Sequence, residues 1–292
     1  MRFAIAALLF PILFVTATQA AAQHRLGQNH TAQGALRLGG FNDESLSTGY
    51  LFGDFTLSWA RQDWSVNLGA FGVVGRRHET YFDLSYQTSY GRLIVGFPRP
   101  AYDLVALSRI TDITPRLALE DIGVSRSRAT YGTMNQTKYL PYGVVFTQQS
   151  DTWVLAGSLH GVPDYDTEIA GLAAAYTQGP TTYAAAVEAV SQDADLLWNW
   201  KAQIENAQDW GTISVSAFDG AANAADATLE LGISGAVSAY ATIQCAARYN
   251  EAQEWLVQAG GHVDLNKAVG LSGSIGHSTG QDSIDLAISY RF

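Results

Sequence analysis

The chain ends with the run Ser283-Ile284-Asp285-Leu286-Ala287-Ile288-Ser289-Tyr290-Arg291-Phe292, and this run decides the fold. Every even-numbered position is apolar or aromatic, whereas four of the five odd-numbered positions are polar. Successive side chains of a β-strand point to opposite faces, so this strand has one apolar and one polar face. Its length matches the ~9–11 residues that a tilted strand needs to cross a bilayer.

The same alternation recurs along the rest of the chain, in segments that end at turn residues. In Leu196–Ala207, for example, Trp198 and Trp200 lie on the face opposite to Asn199 and Lys201. The other predicted strands are Ala35–Gly39, Phe52–Trp59, Trp64–Val73, Tyr81–Thr88, Arg92–Phe97, Tyr142–Gln148, Trp153–His160, Glu168–Thr177, Tyr183–Val190, Trp210–Phe218, Thr228–Gly235, Ala239–Tyr249, Trp255–Leu265 and Lys267–His277. With the last strand, the sequence predicts sixteen.

The connections between these strands follow a second pattern. Alternate joints are tight, such as Arg61-Gln62 and Gln208-Asp209, and the others are mostly longer and richer in polar residues or glycine. An even number of strands with short turns at one end is typical of bacterial outer-membrane barrels. Closure into a barrel removes every unpaired strand edge, which would cost several kcal/mol per group in hydrocarbon, so we predict a sixteen-stranded antiparallel transmembrane β-barrel of the all-β class.

The composition of the 292 residues agrees with this class. Hydrophobic residues make up 47% of the chain, yet its mean hydropathy is only +0.01, which excludes a bundle of long apolar membrane helices. Charged residues make up 15%, well below the ~25% of ordinary soluble domains. The net charge of -10 disfavours nucleic acid as a partner, and the single Cys245 excludes an intrachain disulfide framework.

The first 22 residues have the features of a secretory signal peptide. Arg2 is followed by the apolar stretch Phe3–Val15, and the small residues Ala20, Ala21 and Ala22 offer a cleavage site. We therefore expect residues 1–22 to be removed on export and residues 23–292 to form one barrel domain in the bacterial outer membrane. The alternative is a secreted soluble β-sandwich or β-helix. It is disfavoured by the low count of three lysines and by the aromatic residues, such as Trp64 and Trp153, close to turns.

One connection, from Pro98 to Leu140, is far longer than the rest. Long loops in compact domains are usually functional. The apolar runs Leu104–Leu107 and Leu117–Leu119 need a surface to pack on, and a sixteen-stranded barrel has an aqueous lumen. We therefore expect residues 98–140 to fold inward as the third long-end loop and to narrow the lumen.

These residues resemble the general trimeric porins of Gram-negative bacteria. Gly91–Gly96 looks like the fifth strand of that family, and Tyr102-Asp103 followed by Thr111-Asp112-Ile113-Thr114-Pro115 resembles its inward-folded loop. Asn135–Gly143 is similar to the entry into the sixth strand, and the terminal Tyr290-Arg291-Phe292 resembles the family's assembly signal. The resemblance covers the whole mature chain and implies a homotrimer in outer-membrane lipid that admits small hydrophilic solutes and ions by passive diffusion.

The resemblance also implies a charged constriction, in which carboxylates of the loop face arginines of the barrel wall. Asp103 and Asp112 match the loop acids by position, but Arg116 stands where the family commonly has an acid. Glu120 and Asp121 could restore the negative side of the constriction. The remaining candidates are Arg109, Arg126 and Arg128 on the loop and, from the polar faces of their strands, Arg37 and Arg92 on the wall. The alternative for each residue is a surface salt bridge of little consequence.

Two further functions remain as alternatives. An outer-membrane barrel enzyme, such as a phospholipase or protease, could use Ser158 and His160, which lie two residues apart on one strand face, although no Gly-x-Ser-x-Gly motif is present. The second alternative is a structural barrel that has no continuous channel. The six histidines are scattered without ligand spacing, so we expect neither a metal nor a cofactor.

Overall fold

The structure is a computed structural model that describes residues 24–27, 30–43, 47–73, 78–113, 122–136, 138–193, 195–252, 254–278 and 281–292. The expected signal peptide, residues 1–22, lies outside the described residues. The strands are β1 His24–Gly27, β2 His30–Asp43, β3 Ser47–Arg61, β4 Trp64–Val73, β5 His78–Gln87, β6 Arg92–Phe97, β7 Tyr142–Gln149, β8 Trp153–Val162, β9 Thr167–Gln178, β10 Thr181–Gln192, β11 Asp195–Gln208, β12 Gly211–Gly220, β13 Ala225–Ser238, β14 Ala241–Asn250, β15 Trp255–Asp264, β16 Val269–Ser278 and β17 Gln281–Arg291.

Strands β2–β17 form a closed ring in which each strand pairs antiparallel with its neighbours in sequence. The ring closes where β17 pairs with β2, from Ser283 opposite Asp43 to Arg291 opposite Ala35. The short β1 pairs with β2 beside this seam. The prediction of a sixteen-stranded antiparallel barrel is confirmed, and each predicted strand is present with its ends moved by a few residues.

The seam is completed by the last residue of the chain. The backbone N–H of Phe292 donates to the carbonyl of Gly34, and the N–H of Gly34 donates to the carbonyl of Phe292, both at 3.0 Å. The Phe292 ring lies 6.3 Å from that of Phe55 and 5.9 Å from that of Tyr290, measured between centroids. Backbone pairing and ring packing therefore hold the carboxyl terminus to the first barrel strand.

The two faces of the wall differ as the alternation predicts. On β17, Leu286 is 64% exposed on the outside, whereas Asp285 and Ser289 are 2% and 3% exposed and face the lumen. Cys245 likewise lies on the outer face. The outer surface is thus mostly apolar, which is the arrangement that a lipid environment requires.

Aromatic pairs mark both ends of the barrel. Trp64 packs on Tyr86, and Trp153 packs on Tyr176, each with 4.5 Å between centroids. At the opposite end, Tyr249 and Trp255 are 4.7 Å apart. Rings in these positions form the girdles that mark the two interfaces of a bilayer.

The connections differ less in length than the sequence suggested. We call the end that carries the β6–β7 connection the loop end, and the end that carries Phe292 the turn end. Apart from the β6–β7 connection, the joints at both ends contain two to four residues, and the loop-end joint between β10 and β11 contains only residues 193 and 194. The difference in connection length between the two ends is therefore due almost entirely to the β6–β7 connection.

The β6–β7 connection contains the described α-helices and one 3-10 helix. They are a 3-10 helix at Ala101–Leu104 and α-helices at Arg109–Ile113, Ile122–Ser125 and Arg128–Asn135. Two further 3-10 helices, Pro163–Tyr165 and Ala221–Asn223, lie in short loop-end joints. Within the described ranges, no helix has the length and hydropathy needed to cross a membrane.

Replacing Gly96 by Ala is expected to destabilise the wall where β6 leaves the barrel. Gly96 has φ of +128°, and a Cβ there would lie 2.6 Å from the backbone oxygen of Phe82. Strain of this kind costs about 1–3 kcal/mol. The midpoint of thermal unfolding in detergent should fall for Gly96→Ala and stay unchanged for Gly161→Ala, where a Cβ meets nothing within 4 Å. Equal midpoints for both variants would contradict this expectation.

Candidate functional site

The β6–β7 connection folds into the lumen, and we call residues 98–140 the constriction loop. Near its start the loop contacts β8, where the Ala101 N–H donates to Ser158 Oγ at 3.1 Å. Tyr102 is fully buried here, and Val105 and Ala106 pack against Ala156, Ala173 and Ala186 of the wall. The first predicted apolar run thus packs mainly on the inner wall, with Leu104 itself 41% exposed, and the second run, Leu117–Leu119, lies outside the described residues.

A wall carboxylate on β13 binds the next part of the loop. Glu230 accepts hydrogen bonds from the Ser108 hydroxyl and from the Arg109 N–H, both at 2.6 Å. Arg248 of β14 donates to the same carboxylate at 2.9 Å and to Ser108 at 2.6 Å. Glu230 therefore caps the helix Arg109–Ile113, where the first N–H groups lack partners within the helix.

A second wall carboxylate binds the helix Arg128–Asn135 in the same way. Glu188 of β10 is 1% exposed and accepts from the Arg128 N–H at 2.7 Å, from the Ser127 hydroxyl and from Asn199 Nδ2 at 3.0 Å. Ser127 is also the N-cap, because its hydroxyl accepts from the Ala129 N–H at 3.1 Å. Two acidic residues of the wall thus fix the starts of two loop helices.

The loop acid Asp103 lies inside this packing. It is 5% exposed and accepts from the Ser127 N–H and from the Thr130 hydroxyl, both at 2.6 Å. Thr130 also contacts Glu79 of β5 at 3.0 Å, and Arg126 lies 4.0 Å from the Asp103 carboxylate. The geometry makes Asp103 a link between two parts of the loop, with little access to water.

The described arginines of the predicted site also contact other side chains. The Arg126 guanidinium lies 4.5 Å from the Phe71 ring centroid, and that of Arg128 lies 5.3 Å from the Tyr139 centroid. Arg109 forms an ion pair with Glu205. On the wall, Arg92 donates to Ser65 and Ser85 near the turn end. Arg37 faces the lumen close to Ser289.

The remaining predicted site residues are not described in full. Arg116, Glu120 and Asp121 lie outside the described residues, and the side chain of Asp112 does too. Their place in the lumen stays a prediction.

Part of the lumen wall is aromatic, which the sequence analysis did not anticipate. Phe41, Tyr50, Phe52, Phe71 and Tyr81 of β2–β5 point inward near the loop end and are 2–7% exposed. Ile122 and Met134 of the loop pack against them. This aromatic cluster and the loop fill one side of the lumen with side chains.

On the opposite side of the loop, a lysine of the wall packs on an aromatic ring of the loop. The Lys201 ammonium lies 4.2 Å from the Tyr102 ring centroid and donates to the Ser125 carbonyl at 2.8 Å. Burial, with the nearby Glu188 carboxylate, raises the pKa of Tyr102 above its ordinary value. The phenol therefore stays protonated, and its ring face rather than an anion meets the ammonium group.

Two larger cavities lie on the other side of the lumen. The loop-end cavity, about 560 Å³, is lined by Thr228, Arg248, Asn250, Glu254 and Gln281 among others. The turn-end cavity, about 180 Å³, is lined by Arg37, His262, Ser272, Ser289 and Arg291 among others. Both lie mainly along β13–β17 and have polar linings.

The pair Ser158 and His160 does not have the geometry of a hydrolase site. Ser158 accepts from the Ala101 N–H, and His160 Nε2 donates to the Pro98 carbonyl at 3.3 Å. The two side chains are 6% and 4% exposed, so both are covered by the loop. Over the described residues, no group of three His, Cys, Asp or Glu side chains could hold a metal ion.

Comparisons with solved structures find barrels of the same kind. A structure titled "Asymmetric conductivity of engineered proteins" superposes with a TM-score of 0.71 at 15% identity, over 90% of this chain and all of the other. A triple mutant of the Rhodopseudomonas blastica porin gives 0.68 at 15% identity over the same shares. The chain has the porin fold. A loop-deletion mutant of OmpT, an outer membrane protein of Vibrio cholerae, superposes at 0.59 with 12% identity over 90% of this chain and 99% of that one.

No family model matches the sequence, and no curated protein matches it closely enough to count as a relative. The porin fold is therefore established by the course of the backbone and not by sequence identity.

The sequence analysis did not identify Glu188 and Glu230 as the wall carboxylates that bind the loop. The signal was present, because each is a carboxylate near the middle of a strand, on the face that the alternation assigns to the lumen. Their partners lie 61 and 122 residues away in the chain, so only the folded structure pairs them.

Proposed function

We propose that the protein is a porin of the bacterial outer membrane that lets small hydrophilic solutes and ions pass by diffusion. The observation that carries this proposal is the closed barrel with an apolar outer face and polar cavities inside. A surface of this kind is unstable in water but matches a bilayer. The aromatic pairs at both ends support the same placement.

The proposal includes the export and assembly that the sequence suggests. Residues 1–22 direct export and are removed, residues 23–292 form the barrel, and three copies associate in outer-membrane lipid. No cofactor is required. The constriction loop narrows the passage, and the buried Asp103, Arg126 and Arg128 hold it in place. Asp112, Arg116, Glu120 and Asp121 supply its remaining charge.

Planar bilayer recording tests this function. Purified protein should add conductance in steps, and closure events in multiples of three would support the trimer. The reversal potential in a salt gradient reports the ion selectivity of the channel. It should shift toward anion selectivity for Asp112→Asn and toward cation selectivity for Arg116→Gln, because each change removes one charge from the passage. A bilayer that stays silent with folded protein would count against a porin and favour a structural barrel.

A further inference from the structure

The loop-end cavity is lined by a buried amide. Asn223, in the joint between β12 and β13, lines this cavity and is 3% exposed. Its Nδ2 donates to the carbonyls of Gly123 at 3.1 Å and of Arg126 at 2.9 Å, so these contacts assign the two amide atoms. Its Oδ1 accepts no hydrogen bond from the described part of the chain. A buried acceptor of this kind costs free energy unless another molecule donates to it.

Two carboxylates line the same cavity. Asp226 lies at the start of β13, and Glu254 comes from the joint between β14 and β15. These segments are adjacent, because Thr228 lies opposite Asn250 in the register. Asn250 positions the second acid: its Nδ2 donates to Glu254 Oε2 at 3.1 Å, and the Glu254 N–H donates to its Oδ1 at 2.8 Å. Both acids remain exposed, so a solute in the cavity can reach them.

The charge of the described lining is negative. Arg248 is the one basic residue among the described lining residues, and it is only 5% exposed. Its guanidinium lies 2.9 Å from the Glu230 carboxylate, which neutralises it. The charges of Asp226 and Glu254 therefore remain in excess. A cleft lined by one sign of charge raises the local concentration of ions of the opposite sign, here cations.

The size and the other walls of the cavity suit an organic molecule. Its volume of about 560 Å³ lies within the ~300–1,000 Å³ of small-molecule sites. Val124, Tyr131 and Leu256 supply apolar surface. Within the described ranges, no group of three His, Cys, Asp or Glu side chains could hold a metal ion. Apolar walls with a few convergent polar groups are typical of sites for organic ligands.

We propose that the loop-end cavity binds a small organic cation that carries N–H donors, such as an amine or a guanidinium compound. Asp226 and Glu254 bind its cationic groups, and one of its N–H groups donates to Asn223 Oδ1. Hydrogen bonds from charged donors to carboxylates are among the strongest in proteins. This binding goes beyond passive diffusion, because it holds one class of solute at a defined place and does not require that the solute cross the membrane.

Calorimetric titration of the folded protein in detergent tests the site. Agmatine, which carries a guanidinium and an ammonium group, should bind saturably with one molecule per chain. Tetraethylammonium, a cation without N–H donors, should bind about tenfold more weakly or less, because it cannot donate to the carboxylates or to the amide oxygen. Equal affinities would show that charge alone attracts cations to the protein and would overturn the proposal.

Single substitutions locate the site. Asp226→Asn and Glu254→Gln should each weaken agmatine binding about fivefold or more, because each removes one charge from the lining. Glu251→Gln is the matched control, since Glu251 is exposed in the same joint as Glu254 but is not among the lining residues. A loss of affinity in Glu251→Gln as large as in the other two variants would place the binding on the general negative surface and contradict the proposal.

The remaining outcomes separate the amide, the site and the porin function. Asn223→Ala should weaken agmatine binding as much as either acid variant, and unchanged binding would exclude the amide from the site. Should Asn223→Ala fail to fold, the acid variants decide. The titration does not depend on conductance, so a protein that binds agmatine but is silent in a bilayer refutes only the porin function. A conducting protein that binds neither agmatine nor 1,4-diaminobutane saturably refutes only the cation site.

Discussion

Replacing Glu188 by Ala is expected to release the constriction loop from the barrel wall. The carboxylate accepts three hydrogen bonds, from Ser127, Arg128 and Asn199, at a site that is 1% exposed. Each buried polar group left without a partner costs about 1–3 kcal/mol, so the variant loses several kcal/mol from the local packing. The helix Arg128–Asn135 keeps its N-cap Ser127 but loses the carboxylate that accepts from the Arg128 N–H.

Two measurements should register this release. Single-channel conductance should rise and become noisier, because the loop no longer holds a fixed place in the lumen. Trypsin should cleave after Arg126 or Arg128, which are now 8% and 5% exposed and protected. Glu188→Gln, which keeps one acceptor oxygen, should show a smaller effect, and Glu168→Ala, on the exposed outer face of β9, should show none. Trypsin resistance equal to that of the parent would contradict the anchoring role.

Replacing Leu286 by Arg is expected to prevent stable insertion into lipid. Leu286 lies at the centre of β17 and is 64% exposed on the outer face. An arginine on the lipid face of a barrel costs about 2–4 kcal/mol at the bilayer midplane and about 0–1 kcal/mol near the interfaces. Val263→Arg, on the outer face at the turn end of β15 and 45% exposed, is therefore the matched control and should be much milder.

The comparison distinguishes the membrane barrel from a soluble one. Urea unfolding of protein reconstituted in lipid vesicles should show Leu286→Arg destabilised and Val263→Arg nearly unchanged. In a soluble β-protein, a charge at an exposed site would be neutral or would improve solubility. Equal stability of the two variants would therefore argue against a lipid-facing β17.

The strand pattern could be predicted because β-strand side chains alternate with an exact period of two. Where one face is apolar and the other polar, as in β17, both the strand and its facing follow from the residues. In β2–β5 the alternation does not reveal which face points to the lumen. The reason is that the lumen-facing Phe41, Phe52 and Phe71 are as apolar as the residues that face outward. Their inward facing depends on Ile122 and Met134, which come from a distant loop.

The inward fold of the long loop could be predicted in outline, but the contacts of its residues could not. The length of the β6–β7 connection indicates that it folds inward, and the structure confirms this through its contacts with β5, β8, β10 and β13. The role of each charge depends on burial. Asp103 is matched by position to a loop acid, yet in the fold it bonds to Ser127 and Thr130 of its own loop. A linear sequence does not reveal which charges end up covered.

The seam between Gly34 and Phe292 has a consequence for biogenesis. The strand that completes the cylinder, β17, follows all the other barrel strands in the sequence, and its partner is the first of them. Contacts as remote as Ala35 with Arg291 therefore form only once both strands have been synthesised. Pairings this distant in sequence make folding slow. The barrel therefore stays open until β17 is available, and any product that ends before β17 carries two open strand edges that promote aggregation.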